Sequence, residues 1–214
     1  MTRADVAYEE LRRGILSGQF PPAAPLSEYQ LASQLKLSRT PVREALARLE
    51  HERLVRTVGT RGCFVAELTP NDIIEIYQIR EPLESSAARV AAERMTADAL
   101  AELESIVGQM RESARAGYAQ ETLTTDVDLH RAVVRATQNG RMIAILGTLD
   151  DQMHRIRSMW PRTPRWLDGA VEEHADIVRS IASRDPDGAE RAMRKHLRSS
   201  CDHAIRFLMP TRTD

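Results

Sequence analysis

Asp126 and His130 stand four residues apart in Asp126-Val127-Asp128-Leu129-His130, and two further histidines, His174 and His196, follow at separations of tens of residues. A spacing of four places a carboxylate and an imidazole on one helical face, one turn apart. One carboxylate and three imidazoles drawn from three helices suit a divalent cation. Oxygen and nitrogen donors without thiolate fit Zn²⁺, Ni²⁺, Mn²⁺ or Fe²⁺, and leave positions open when coordination exceeds four. Such a centre would activate water in a metal-dependent hydrolase or lyase, or hold the signal of a sensor. Unrelated histidines on amphipathic helices would show the same spacing, and spacing alone does not choose.

A second chemistry lies in Ser38-Arg39-Thr40-Pro41-Val42-Arg43-Glu44-Ala45-Leu46-Ala47-Arg48-Leu49-Glu50. Val42, Ala45, Leu46 and Leu49 form the apolar stripe of a short helix. Ser38 or Thr40 can cap its start, and Pro41 belongs in a first turn. Arg39 and Arg43 then sit off the stripe near the exposed N-terminal end, where a DNA-recognition helix meets base edges and phosphates.

The elements that must position these groups fall into two parts. Ser27-Glu28-Tyr29-Gln30 has the form of a capping box and opens a helix with Leu31, Ala32 and Leu35 apolar. Lys36 and Leu37 leave only a tight turn before Ser38, which is helix-turn-helix grammar. An earlier helix, about 4–17, repeats Ala7, Leu11 and Ile15 and closes a three-helix core. Leu54-Val55-Arg56-Thr57 and Cys63-Phe64-Val65-Ala66 flank Val58-Gly59-Thr60-Arg61-Gly62, and two β-prone runs around a glycine-containing tip predict a hairpin wing carrying Arg61. From Lys36 to Arg61 seven basic residues face three acidic ones, a local patch suited to phosphate.

Thr69-Pro70-Asn71-Asp72 combines a cap, a first-position proline and a first-turn acid, and a domain boundary is expected there. Helical periodicity follows over about 70–93, 96–116, 121–138, 140–160, 165–183 and 186–208, broken at Thr96, Gly117, Asn139-Gly140, Pro161 to Pro164 and Asp185-Pro186. The fold class is therefore mainly α: a winged helix-turn-helix domain over 1–68, then an all-α antiparallel bundle of about six helices over 69–214. Trp160 and Trp166, flanking Pro161 and Pro164, are read as packing a helix junction. His154 and His203 are read as ordinary helical histidines, and His51 as a solvated residue at a helix end. The chain has a net charge of −1 and only two cysteines, which excludes a polycation and a disulfide framework. Without an N-terminal apolar segment or a run of about eighteen apolar residues, a cytoplasmic, soluble protein with no membrane partner is expected.

Leu26-Ser27-Glu28, the Ser38 to Leu46 run and Arg61-Gly62-Cys63-Phe64-Val65 resemble the DNA-binding domain of GntR-type transcription regulators. That resemblance implies operator contacts from Ser38, Arg39, Thr40, Arg43, Arg61 and Gly62. Ala24, Lys36 and Arg53 stand where the family commonly has glycine, and positive φ is expected at Lys36 and Arg53. Tyr29 stands where some members have a DNA-contacting arginine. Asp126 to Val133, Glu173-His174 with Ile177-Val178, and Ala192 to Leu197 resemble the FCD effector domain of the FadR-type subfamily. By that resemblance Asp126, His130, His174 and His196 are ligands of a divalent metal ion.

Arg80, in Ile79-Arg80-Glu81-Pro82-Leu83-Glu84, resembles the arginine of the first FCD helix. It would pair with the carboxylate of a small organic-acid effector. Its other reading is an intrahelical partner of Glu84 at i+4. Together the resemblances imply a homodimeric, effector-responsive regulator, most often a repressor, on a near-palindromic double-stranded operator. The rivals are the hydrolase or lyase and a regulator that senses the metal directly. An enzyme would leave the DNA-reading domain unexplained, and no general base or nucleophile motif accompanies the ligands.

Overall fold

The computed structural model describes residues 1–158 and 164–208. Within them the chain forms two compact units, one of Met1–Thr69 with Thr148–Ser158, the other containing Pro70–Gly147 and the helices that follow Ser158.

The first unit begins with α1 (Arg3–Leu16), whose Thr2 and Asp5 form a reciprocal capping box. β1 (Pro25–Leu26) precedes α2 (Glu28–Leu35), where the Ser27 hydroxyl accepts the Gln30 N–H at 3.4 Å. α3 (Arg39–His51) starts after Ser38, which adopts the extended cap backbone without a side-chain capping bond. β2 (Val55–Thr57) and β3 (Cys63–Val65) pair antiparallel around a 3₁₀ turn at Gly59–Arg61, and β1 adds to β3 to give the order β1-β3-β2. Leu11, Val42, Ala45, Leu49 and Leu54 are essentially inaccessible in the core. Lys36 (φ 54°) and Arg53 (φ 57°) take the left-handed backbone expected from the sequence, and Ala23 (φ 63°) does so as well. For residues with a Cβ this is strained; Lys36 and Arg53 turn the chain out of α2 and α3, and Ala23 lies in the turn before β1.

One helix of this unit comes from far along the sequence. The periodicity over 140–160 reads as one helix, but the structure breaks it into α7 (Gly140–Gly147) and α8 (Asp150–Ser158). Gly147 has the lowest helix propensity of any residue but proline, and Asp150 and Asp151 supply the acids that favour a fresh N-terminus. α8 joins the winged-helix unit: Met153 and Ile156 are buried, Arg12 forks onto the Asp151 carboxylate, Gln152 donates to the Glu52 carbonyl at 3.3 Å, and Arg155 donates to the Ala66 carbonyl.

The second unit holds six helices among its described residues: α4 (Pro70–Arg94), α5 (Ala97–Ala116), α6 (Ala119–Arg135), α7, α9 (Pro164–Ala182) and α10 (Pro186–Leu208). α6 spans a segment shifted towards the N-terminus from that read in the sequence, and Gln138 (φ 54°) marks the turn beyond it. α4 carries Ala87, Ala88, Ala91 and Ala92 buried on one face, small residues that admit α10 closely. Leu103, Leu129, Ile177, Ile181, Met193 and Leu197 complete the core. Caps follow the sequence signals: Thr96 accepts the Ala99 N–H at 3.3 Å, and Gly117 (φ 75°) ends α5. Trp160 and Pro161 lie outside the described residues, while the Trp166 ring stacks on His203 at 5.0 Å between centroids. No helix is long and apolar enough to cross a membrane among the described residues.

Candidate metal centre and candidate nucleic-acid interface

α6, α9 and α10 bring Asp126, His130, His174 and His196 together, with one potential ligand atom from each lying within 4.8 Å of all the others. Asp126 Oδ1 is 3.1 Å from His174 Nε2 and 3.7 Å from His130 Nε2, and those two ring nitrogens are 3.4 Å apart. The three imidazoles are almost wholly buried.

The outer nitrogens decide what the inner ones are. His130 Nδ1 lies 2.5 Å from the Glu84 carboxylate, His174 Nδ1 lies 2.6 Å from the Ala170 carbonyl, and His196 Nδ1 lies 3.0 Å from the Glu173 carboxylate. Each of those partners only accepts, so each Nδ1 must carry the proton. In a neutral imidazole the other nitrogen is then a bare lone pair. Three lone pairs and a carboxylate therefore converge with no donor among the four, an arrangement suited to a cation. Carboxylates and carbonyls behind ligating histidines fix the tautomer and raise ligand basicity in the same way.

The electrostatics keep the site ready for a cation. Burial pushes His130 down against the opposing charge of Glu84. Burial and the neighbouring His174 take His196 down to about 3, although Glu173 opposes them. Glu84 stays below the usual carboxylate range despite its burial, because Arg80 and His130 surround it. Unfolded imidazoles titrate near 6.5, so below that pH the unfolded chain takes up protons that folded His130 and His196 refuse. Stability of the metal-free protein from these two groups is therefore complete above about pH 6.5 and lost as pH falls towards about 3 at His196. Thermal melts across this range should show the decline, with a shallower slope in His196→Gln; equal slopes would remove His196 as the cause.

Arg80 is the candidate that the structure redirects. It is buried, and its Nε donates to Glu84 Oε1 at 2.6 Å while Glu84 Oε2 faces His130. The intrahelical pair is thus present, but it is a buried pair that backs a metal-ligand candidate, not a solvated one. Sequence spacing contained the Arg80–Glu84 half of this relay and no sign of its His130 half. Glu173 was visible only as His174's neighbour. His51 and His154 are exposed, and His203 packs on Trp166, all outside the cluster.

In the first unit Ser38, Arg39, Thr40 and Arg43 are exposed at the start of α3, while Pro41 and Val42 face the core. Arg61 and Gly62 are exposed at the wing tip, and Gly62 has φ 100°, a backbone that side chains rarely adopt. Tyr29 is also exposed on this side of α2. A groove of about 610 Å³ runs between α3 and the wing, lined by Glu28, Arg39, Arg43, Thr57, Arg61 and Cys63 among others. Burial pushes the Cys63 thiol up to about 11, which marks it as a packing group.

A family model described as bacterial regulatory proteins, gntR family, matches residues 3–65, and the FCD domain model matches residues 75–199. The chain belongs to the GntR family. This GntR regulator is 30% identical to the Nta operon transcriptional regulator of Aminobacter aminovorans over 90% of each chain. It is 34% identical to the protein named Probable D-xylose utilization operon transcriptional repressor of Paenarthrobacter nicotinovorans, over 86% of this chain and 80% of that one. Its fold matches a solved GntR regulator from Rhodococcus sp. RHA1 with a TM-score of 0.76 at 22% identity, covering 96% of this chain and 98% of the other. Both of these relatives are named as transcription regulators, and the family model over 3–65 is one of bacterial regulatory proteins.

Proposed function

We propose that this GntR regulator is a cytoplasmic repressor whose operator binding responds to a small organic acid at a metal centre in its helical unit. Residues 1–68 form the DNA-reading part and 69–214 the sensing and dimerising part, with α8 returned from the second to the first. Two copies related by a two-fold axis would read a near-palindromic operator. Ser38, Arg39, Thr40 and Arg43 meet the major groove, and Arg61 and Gly62 meet the flanking backbone or minor groove. The support is their common exposure on α3 and the wing within a family of DNA-binding regulators. Arg39→Ala and Arg43→Ala are each expected to cost about 1–3 kcal/mol of specific binding with the fold retained, since neither side chain enters the core. Arg61→Ala should cost less and mainly flatten the salt dependence. Titrations at one fixed salt concentration on an operator selected from random duplexes would test this; unchanged affinity in both α3 variants sinks the assignment.

The observation that carries the sensing half is the convergence of three outward-protonated imidazoles and Asp126 on one point. Asp126, His130, His174 and His196 would hold Zn²⁺, Ni²⁺, Mn²⁺ or Fe²⁺, and the ion would supply a Lewis-acid position for a carboxylate. Arg80, whose charge is felt at Asp126, favours an anionic effector over a neutral or cationic one. An effector shifts DNA binding only through different affinities for the two arrangements of the regulator. Calorimetry with a panel of small organic acids is expected to show binding to the metal-loaded protein, weaker binding to Arg80→Lys, and little to chelator-stripped protein. Equal binding to all three would place the signal elsewhere. Operator binding that follows the metal with no organic acid present would make the ion itself the signal.

A further inference from the structure

Glu28 is the first residue of α2 and has no role in the helix-turn-helix core, yet it touches both arginines of the recognition helix. Its Oε1 accepts from Arg43 Nε at 3.0 Å, and its Oε2 accepts from Arg43 Nη2 at 2.8 Å and from Arg39 Nη2 at 3.2 Å. The Arg43 contact is therefore the bidentate fork that orients a guanidinium in plane as well as in distance. The two arginine side chains are 62% and 64% exposed, while that of Glu28 is 29% exposed. Two long side chains at that exposure would otherwise sample many rotamers, and each would have to be ordered on meeting a base. The carboxylate also has a cost, because it places negative charge in a groove that must receive DNA.

We propose that Glu28 is a positioning residue of the DNA-reading surface, a clamp that pre-orients Arg39 and Arg43 for base edges and lowers affinity for phosphate backbone in general. The proposal rests on the DNA-binding reading above. The first consequence lowers the ordering cost only where the arginines find their bases. The second weakens every complex, right or wrong. Together they raise discrimination more than affinity. The clamp holds its charge throughout the working range, since the hydrogen bonds from Arg43, with the one from Arg39, take Glu28 down to about 2.

The experiment measures two dissociation constants at one salt concentration: for a duplex selected by the wild-type protein from a random pool, and for a scrambled duplex of equal length. Glu28→Gln keeps the side-chain size and removes the charge. It is expected to bind the scrambled duplex several-fold more tightly and the selected duplex more weakly, so that their ratio falls by about tenfold or more. Glu28→Asp, one methylene shorter, should reach only one arginine and give an intermediate ratio. Repeating the selection with Glu28→Gln should yield a site with flattened preference at a few positions, which a merely structural defect would not produce. A ratio equal to or above that of the wild type, including both affinities rising together, overturns the clamp. Arg43→Ala is the control: if it leaves both affinities unaltered, the DNA-contact assignment itself has failed. If it weakens the selected duplex while Glu28→Gln keeps the ratio, only the clamp is wrong.

Discussion

Purified without chelator, the protein is expected to carry about one divalent ion per chain, and removing that ion should lower its melting temperature sharply. An ion at about a thousand times its dissociation constant adds roughly 4 kcal/mol to a folded state that alone can bind it. In a chain of this size that corresponds to about 8–16 °C. The tautomers of the site make the expectation specific. With Glu84, the Ala170 carbonyl and Glu173 holding the outer protons, the inner nitrogens have lone pairs facing one another. His174→Ala and His196→Ala should each abolish most of the metal-dependent gain while perturbing the stripped protein far less. Metal analysis and melts of loaded and stripped samples check this. Protein that emerges metal-free and does not respond to added Zn²⁺, Ni²⁺ or Mn²⁺ would leave the histidines as core residues.

Arg80→Ala should destabilise the protein by about 3–5 kcal/mol, because it strands the Glu84 charge in a buried setting. This far exceeds the few tenths expected of an exposed i,i+4 pair. Glu84→Gln in the same chain should recover part of the loss, since a neutral amide tolerates burial better than an unpaired carboxylate, and the two changes should be non-additive. Arg80→Lys keeps the charge without the planar fork and should cost less, which is why it is the better probe of effector binding. Denaturant unfolding of the four forms in a double-mutant cycle measures the coupling. An Arg80→Ala protein as stable as wild type would mean that Glu84 draws its support from other groups.

The legible and illegible parts of this molecule divide along sequence distance. The start of α3 was readable to within about two residues, because Ser38 or Thr40, Pro41 and the 42-45-46-49 stripe are local signals acting within one helix. The strained turns at Lys36 and Arg53 were expected only through the family resemblance, because both residues stand where its members commonly have glycine. Asp126 and His130 could be paired from their spacing, but His174 and His196 joined them only through resemblance to a family, since nothing local links three helices. The Glu84 contact to His130 spans 46 positions and had no signal at all. The break after Gly147 was missed for a related reason. Apolar residues continue at helical spacing from α7 into α8, and only tertiary contacts with Arg12, Glu52 and Ala66 reveal that α8 belongs elsewhere.

α8 has a consequence for how the regulator is made. The winged-helix unit is discontinuous, and its last piece leaves the ribosome only after most of the second unit's helices have been translated. At about 5–20 residues per second that is a wait on the order of 10 s. During it, the surfaces of α1, of the end of α3 and of the segment after β3 that receive Asp151, Gln152 and Arg155 are uncovered in the nascent chain. A polypeptide stopped at the end of the N-terminal segment, whether by a nonsense codon or by a cloning boundary drawn from sequence similarity, would carry every residue proposed to contact DNA and still be an unfinished unit. Such a fragment is expected to be soluble only poorly and to gain order when a peptide covering 148–158 is supplied in trans.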